Sequence, residues 1–183
     1  MASKVIVEKT KEYRRFLQGV RRDNQIEVTT TYYCVPHNEH GPAVVTSSGD
    51  KMWYKKGELH RVNGPALIVH DSESWYKDGK LHREDGEPAV VHRDGSKKWY
   101  IEGHLHRLDG PAITSPNGDE KWYKNGECHR LDGPAIYKDN GKSQEWFVDG
   151  KRHRLDGPAL ISLLTSEWWI RGYFMRSNES KLG

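Results

Sequence analysis

Trp122-Tyr123-Lys124-Asn125-Gly126-Glu127-Cys128-His129-Arg130-Leu131-Asp132-Gly133-Pro134-Ala135 is the clearest of six near-copies of one unit in this chain of 183 residues. The prolines set the ruler: Pro42, Pro65, Pro88, Pro111, Pro134 and Pro158 are separated by 23, 23, 23, 23 and 24 residues. A tryptophan recurs as Trp53, Trp75, Trp99, Trp122, Trp146 and Trp168, and a histidine as His37, His60, His82, His106, His129 and His153. Arg follows that histidine as Arg61, Arg83, Arg107, Arg130 and Arg154. A unit this short cannot bury its own apolar face and must stack on its neighbours, so the period decides for a repeat array. The end copies are worn, with Asn38 in the first Arg slot and Met175 before Arg176 in the last. Glu87 splits Gly86 from Pro88, and a local bulge is expected there.

Within the unit, turn signals bracket short apolar or aromatic runs. Asn125-Gly126, Asp78-Gly79, Asp94-Gly95, Asn117-Gly118, Asn140-Gly141 and Asp149-Gly150 are all hairpin dipeptides, so the economical expectation is two antiparallel strands per unit. The residue after each repeat Ala is aliphatic, as Val44, Leu67, Val90, Ile113, Ile136 and Leu160, and with the tryptophans it is expected to form the apolar core stripe. Side chains alternate across a strand, so Tyr54, Tyr76, Tyr100 and Tyr123 are expected on the opposite, presented face. Strands lie about 4.8 Å apart, which makes each unit advance the sheet by roughly 10 Å and the array elongated.

Residues 1–36 depart from the repeat. Tyr13, Phe16, Leu17 and Val20 fall at helical spacing, with Ser3 as a possible cap, and predict a helix; the β-branched run Val5-Ile6-Val7 argues for a strand instead. Gln25 to Val35 alternates polar and apolar and reads as a strand. The expected fold is therefore mainly β: a small α+β cap over 1–36, a single-layer antiparallel hairpin array over 37–176 and a tail over 177–183.

Composition narrows function. The net charge is +3, but residues 1–35 hold seven Lys or Arg against four Asp or Glu, which leaves the rest balanced at 22 and 22. There is no global basic field of the kind that drives non-specific nucleic-acid binding. Two distant cysteines, Cys34 and Cys128, make no disulfide framework, no apolar run is long enough to span a bilayer and no signal-peptide pattern opens the chain, so a cytoplasmic protein is expected.

The stretch Trp122 to Gly133 resembles a MORN (membrane occupation and recognition nexus) repeat, also a hairpin unit of about 23 residues. The likeness covers residues 37–176, and the Trp-Tyr, His-Arg, Gly-Pro-Ala variant is similar to that of uncharacterised proteins of tailed phages and large DNA viruses. It implies a meandering sheet that serves as a binding platform for proteins or lipids. The chain departs from the common repeat in carrying Arg where that repeat has Gly, and Pro-Ala after the last glycine.

The repeated histidines look like a metal ladder, yet equivalent rings one unit apart would lie roughly 10 Å from each other, too far to share an ion. His104 and His106 are the closest pair and lack a recurring third ligand. Structural histidines, hydrogen-bonded to backbone in the next turn, are expected. Arg107, Arg130 and Arg154 each precede an Asp by two residues and are expected to pair with it, or else to form a guanidinium row for phosphate or an acidic surface. A catalytic group is normally unique, whereas every prominent residue here recurs, so no enzyme, no metal and no cofactor are expected.

The candidate binding residues are thus Tyr54, Tyr76, Tyr100, Tyr123, Arg61, Arg83, Arg107, Arg130, Arg154 and, in the last unit, Trp169, Tyr173 and Phe174. The expected function is a non-catalytic scaffold binding a protein partner, in a phage a host protein that it inhibits in the host cytoplasm. The alternatives are sequestration of a phosphorylated nucleotide and association with anionic membrane through Arg14, Arg15, Arg21 and Arg22, without integral insertion. A homo-oligomer through a sheet edge is a further expectation.

Overall fold

A computed structural model describes residues 6–7, 13–22, 25–34 and 41–179, with side chains from 41 to 178. The slots at His37 and Asn38, like the cap at Ser3, lie outside the described residues. The chain divides into two compact units, 1–79 and 80–183.

In the first unit an antiparallel meander runs through Ile6–Val7, Val44–Val45, Lys51–Met52, Leu67–Val69 and Ser72–Ser74. Ile6 pairs with Val45 and Val7 with Val44, so the β-branched run forms the strand that covers the first repeat's edge. The helix expected around Tyr13 to Val20 is absent. Tyr13–Arg22 is instead a ten-residue strand paired along its length with Gln25–Cys34. The physical reason lies in its partner: Ile26, Val28, Thr29, Thr30, Thr31, Tyr32 and Tyr33 prefer extended backbone, and the pairing runs from Tyr13 with Cys34 to Arg22 with Gln25.

The second unit repeats the meander through Val90–His92, Lys97–Lys98, Ile113–Thr114, Glu120–Lys121, Ile136–Lys138, Ser143–Glu145, Leu160–Ile161, Thr165–Ile170 and Tyr173–Glu179. The last strand carries the array past residue 176, into what was expected to be tail.

Each repeat also holds a second, smaller hairpin that a two-strand unit does not anticipate. Tyr123–Lys124 pairs with Glu127–Cys128, and Tyr54–Lys55, Tyr100–Ile101 and Phe147–Val148 pair in the same way with the segments that follow them. Asn125 (φ 51) and Gly126 (φ 85) are both left-handed, the signature of a type I′ turn, which matches strand twist. Asp94-Gly95 and Asn117-Gly118 turn differently. There only the glycine has positive φ, in loops closed by His92–Ser96 and Ser115–Asp119 bonds.

The core does not sit where the aliphatic stripe was expected. Ala43, Ala66, Ala89, Ala112, Ala135 and Ala159 are the fully buried residues, while of the tryptophans only Trp99 is buried and the others are half-buried. Trp donates its backbone N–H to the carbonyl of the Ala that closes its own unit, as in Trp122 to Ala135 at 2.7 Å, and Ala135 donates in turn to Glu145 O at 2.8 Å. A methyl group is what fits between successive turns of the meander.

Glu87 produces no strand bulge. Asp85 (φ 64) and Gly86 (φ 72) absorb the extra residue as a left-handed turn, and the Trp99 indole N–H donates to Gly86 O at 2.8 Å.

Candidate functional site

Among the described residues, the segment between the small hairpin and Gly-Pro-Ala forms a loop, and its side chains divide sharply by role. Arg130 lies over the Trp122 ring at 4.0 Å, and Arg61, Arg107 and Arg154 cover Trp53, Trp99 and Trp146 at 3.9, 4.1 and 4.0 Å. In the worn last unit Arg176, directly across from Trp168, keeps the stack at 4.2 Å. The other side of the guanidinium explains the glycine: a Cβ at Gly133 would stand 3.0 Å from Arg130 Cζ, and Gly110 and Gly157 are equally tight against Arg107 and Arg154. Only Gly allows the guanidinium so close to the backbone.

The stacked Arg is also hydrogen-bonded. Arg130 Nε donates to Asp132 Oδ1 at 2.9 Å and Nη1 to Pro134 O at 3.3 Å, with matching bonds at Arg107 and Arg154. Arg83 donates to Pro88 O and Arg61 to Pro65 O, both at 3.1 Å. Where the other loops have Asp, Arg61 has Asn63, and no carboxylate among the described residues pairs with it. The bonds to Arg hold Asp109, Asp132 and Asp156 below the ordinary carboxylate range.

That depression has a pH signature. A carboxylate whose pKa is lower in the fold than in the open chain stabilises the fold above the open-chain value of 3.8, and the benefit is lost as pH falls through the lowered folded value. The thermal midpoint is therefore expected to drop on acidification below about 4, and less steeply in the triple variant Asp109→Asn, Asp132→Asn, Asp156→Asn. Equal acid slopes in both proteins would exclude the effect.

The histidines act as struts between repeats. The N–H groups of Asp78, Glu102, Asn125, Asp149 and Arg171 donate to Nδ1 of His60, His82, His106, His129 and His153, at 3.1 to 3.2 Å. The expected ring-to-backbone bond is present, with the ring as acceptor. At His60, His82 and His129 the same nitrogen also lies within 3.2 Å of the Asp78, Glu102 and Asp149 carboxylates. Among the described residues no three His, Cys, Asp or Glu converge to hold a metal ion.

The tyrosines are not presented. Tyr54, Tyr76, Tyr100 and Tyr123 are all half-buried, and Tyr123 stands across the small hairpin from Cys128. Burial, reinforced by the bond to Cys128, pushes the Tyr123 hydroxyl up to about 12, and burial also raises the Cys128 thiol. The fold therefore favours neutral Tyr123, a contribution present below pH 10 and lost as pH rises toward 12. Absorbance at alkaline pH is expected to show one tyrosine ionising near 12 that Tyr123→Phe removes. Its persistence in that variant would reassign it.

In the last unit Trp169 and Phe174 meet edge-to-face at 5.2 Å, and the Trp169 indole donates to Glu167 at 2.8 Å. Tyr173, Phe174 and Met175 are exposed. Glu145, buried, receives Arg152 at 2.7 Å with Lys138 at 3.7 Å, an ion cluster that ties the strand of Glu145 to its neighbours.

What the repeat presents instead is the residue after Arg. Val62 in the first unit is 82% exposed, and in the second unit Leu108, Leu131 and Leu155 are 80, 80 and 78% exposed, a row that pattern reading misses because nothing about an aliphatic residue between Arg and Asp says that it faces solvent. In the second unit successive loops flank recesses, one of about 420 Å³ between the loops of Glu84 and Leu108 and floored by Trp99, the other of about 630 Å³ between those of Leu131 and Leu155 and floored by Trp146.

Comparison with protein-family models, curated proteins and solved structures returned no match for this chain.

Proposed function

We propose that this chain is a non-catalytic MORN-like scaffold that binds a protein partner on its loop face. The observation that carries the reading is the row of exposed aliphatic residues beside recesses, set on a backbone whose Arg, His and Trp groups are already engaged with one another. Single exposed leucines are ordinary on a protein surface; the same residue exposed at the same place in repeat after repeat builds a patch. The Tyr face expected to bind is half-buried, which moves the proposed surface to the loops.

The phosphorylated-ligand alternative draws less support, because Arg61, Arg107, Arg130 and Arg154 lie on Trp rings and, like Arg83, donate to proline carbonyls. Arg61, with Asn63 where the other loops have Asp, is the one of these to test first for such a ligand. The finer proposal, a viral protein inhibiting a host protein in the host cytoplasm, rests on the sequence resemblance alone. No helix among the described residues is long and apolar enough to cross a membrane.

The test is affinity capture from cell extract with the full chain and with a Leu108→Ser, Leu131→Ser, Leu155→Ser variant. A protein retained saturably by the first and lost by the second is expected. Retention of nothing, together with calorimetric heat on adding nucleotides, would replace this function by the alternative.

A further inference from the structure

The loop row has a charge as well as a shape. Asp109, Asp132 and Asp156 are 77, 84 and 82% exposed, whereas the Arg side chains that neutralise them are tucked against Trp and only 24, 25 and 23% exposed. Each ion pair thus turns its negative end outward and its positive end inward. A partner approaching the loops meets a leucine and a carboxylate at each step, and the exposed Glu84, Asp85 and Glu87 add acid beside the first recess.

The spacing selects the partner's conformation. One repeat adds two strands to the sheet, so Leu108, Leu131 and Leu155 recur at about 10 Å steps. Seven residues of α-helix advance about 10.5 Å, which returns a side chain to nearly the same face. An extended segment repeats its face every 6.8 Å or so and falls out of step by the second leucine.

We infer that the ridge of Leu108, Leu131 and Leu155 docks a basic amphipathic helix of a protein partner, laid across the strands, with apolar side chains every seven residues packing on the three leucines and Lys or Arg beside them meeting Asp109, Asp132 and Asp156. The inference rests on the platform function above and names that platform's ligand class. The helix needs about two heptads to engage all three leucines. The attraction weakens with salt, because the carboxylates are at the solvent surface.

The experiment uses three synthetic 18-residue peptides: one with Leu in heptad repeat and Lys beside each, one with every Lys replaced by Glu, and one of the first composition with Leu at alternate positions. Binding to the full chain is read by fluorescence anisotropy at two salt concentrations. The heptad Lys peptide is expected to bind at least roughly tenfold more tightly than either comparison, more weakly at high salt, and to lose that advantage against the Leu108→Ser, Leu131→Ser, Leu155→Ser chain. That variant keeps its thermal midpoint, since the replaced side chains are exposed.

Equal binding of the three peptides, or binding indifferent to the leucines, overturns the inference. Preference for the alternating peptide overturns it in favour of an extended ligand. A photo-crosslinking residue at position 131 of the full chain separates the two levels. If it captures a cellular protein while the heptad peptide fails, the platform stands and the helix falls; if neither binds, both fall.

Discussion

Trp122→Ala is expected to be the most damaging single substitution in the second unit, lowering stability by about 3 kcal/mol. The ring is half-buried and forms the floor under Arg130. Truncation removes the apolar area the ring shields and also the stacking partner that orients the guanidinium, so the bonds from Arg130 to Asp132 and Pro134 lose their anchor. Because a repeat touches mainly its neighbours, the loss is local. Hydrogen exchange should accelerate at the amides of residues 120–137 and their paired strands while the earlier repeats keep their protection. Unchanged exchange around Ala135 would mean that the tryptophan supports nothing beyond itself.

Ala135→Leu is expected to cost about 1–3 kcal/mol although it adds apolar surface. Ala135 has no accessible area, its N–H is bonded to Glu145 O, and its carbonyl receives the Trp122 N–H. The added atoms have nowhere to go without parting the Trp122 and Glu145 strands. Calorimetry should show a lowered melting midpoint, and Ala135→Gly a smaller loss, from backbone entropy and a lost methyl contact. If Leu were tolerated as well as Ala, the absence of space inferred from burial would be wrong.

These two residues show what the sequence could and could not disclose. Period, turn positions and the meander were all legible in the spacing of Pro, Gly and Trp, because backbone conformation at Asn125-Gly126 leaves few residue choices. Burial was not legible. Trp and the residue after Ala are large and apolar and read as core, yet a thin sheet offers little depth, so the small Ala is enclosed and the indole is covered by a charged group. Cation–π stacking makes an Arg serve as part of an apolar layer, and hydropathy cannot signal that. Leu131 is illegible for the converse reason, since an aliphatic side chain between Arg and Asp gives no hint that it faces solvent. At Tyr13 to Val20 the apolar positions satisfied helical spacing, and only pairing with the β-branched strand at 25–34 decided otherwise.

The candidate site moved for the same physical reasons. Guanidinium groups expected to recognise ligands became structural once Trp and Gly enclosed them, and the presented chemistry passed to the Leu and Asp beside them.

The most direct test is a double-mutant cycle on stability between Arg130 and Trp122, using Arg130→Met and Trp122→Leu to limit the volume change. A coupling of about 1 kcal/mol is predicted for a partly desolvated stack. A coupling indistinguishable from zero would mean that Arg130 does not belong to the fold, and would return the repeated arginines to the list of binding groups.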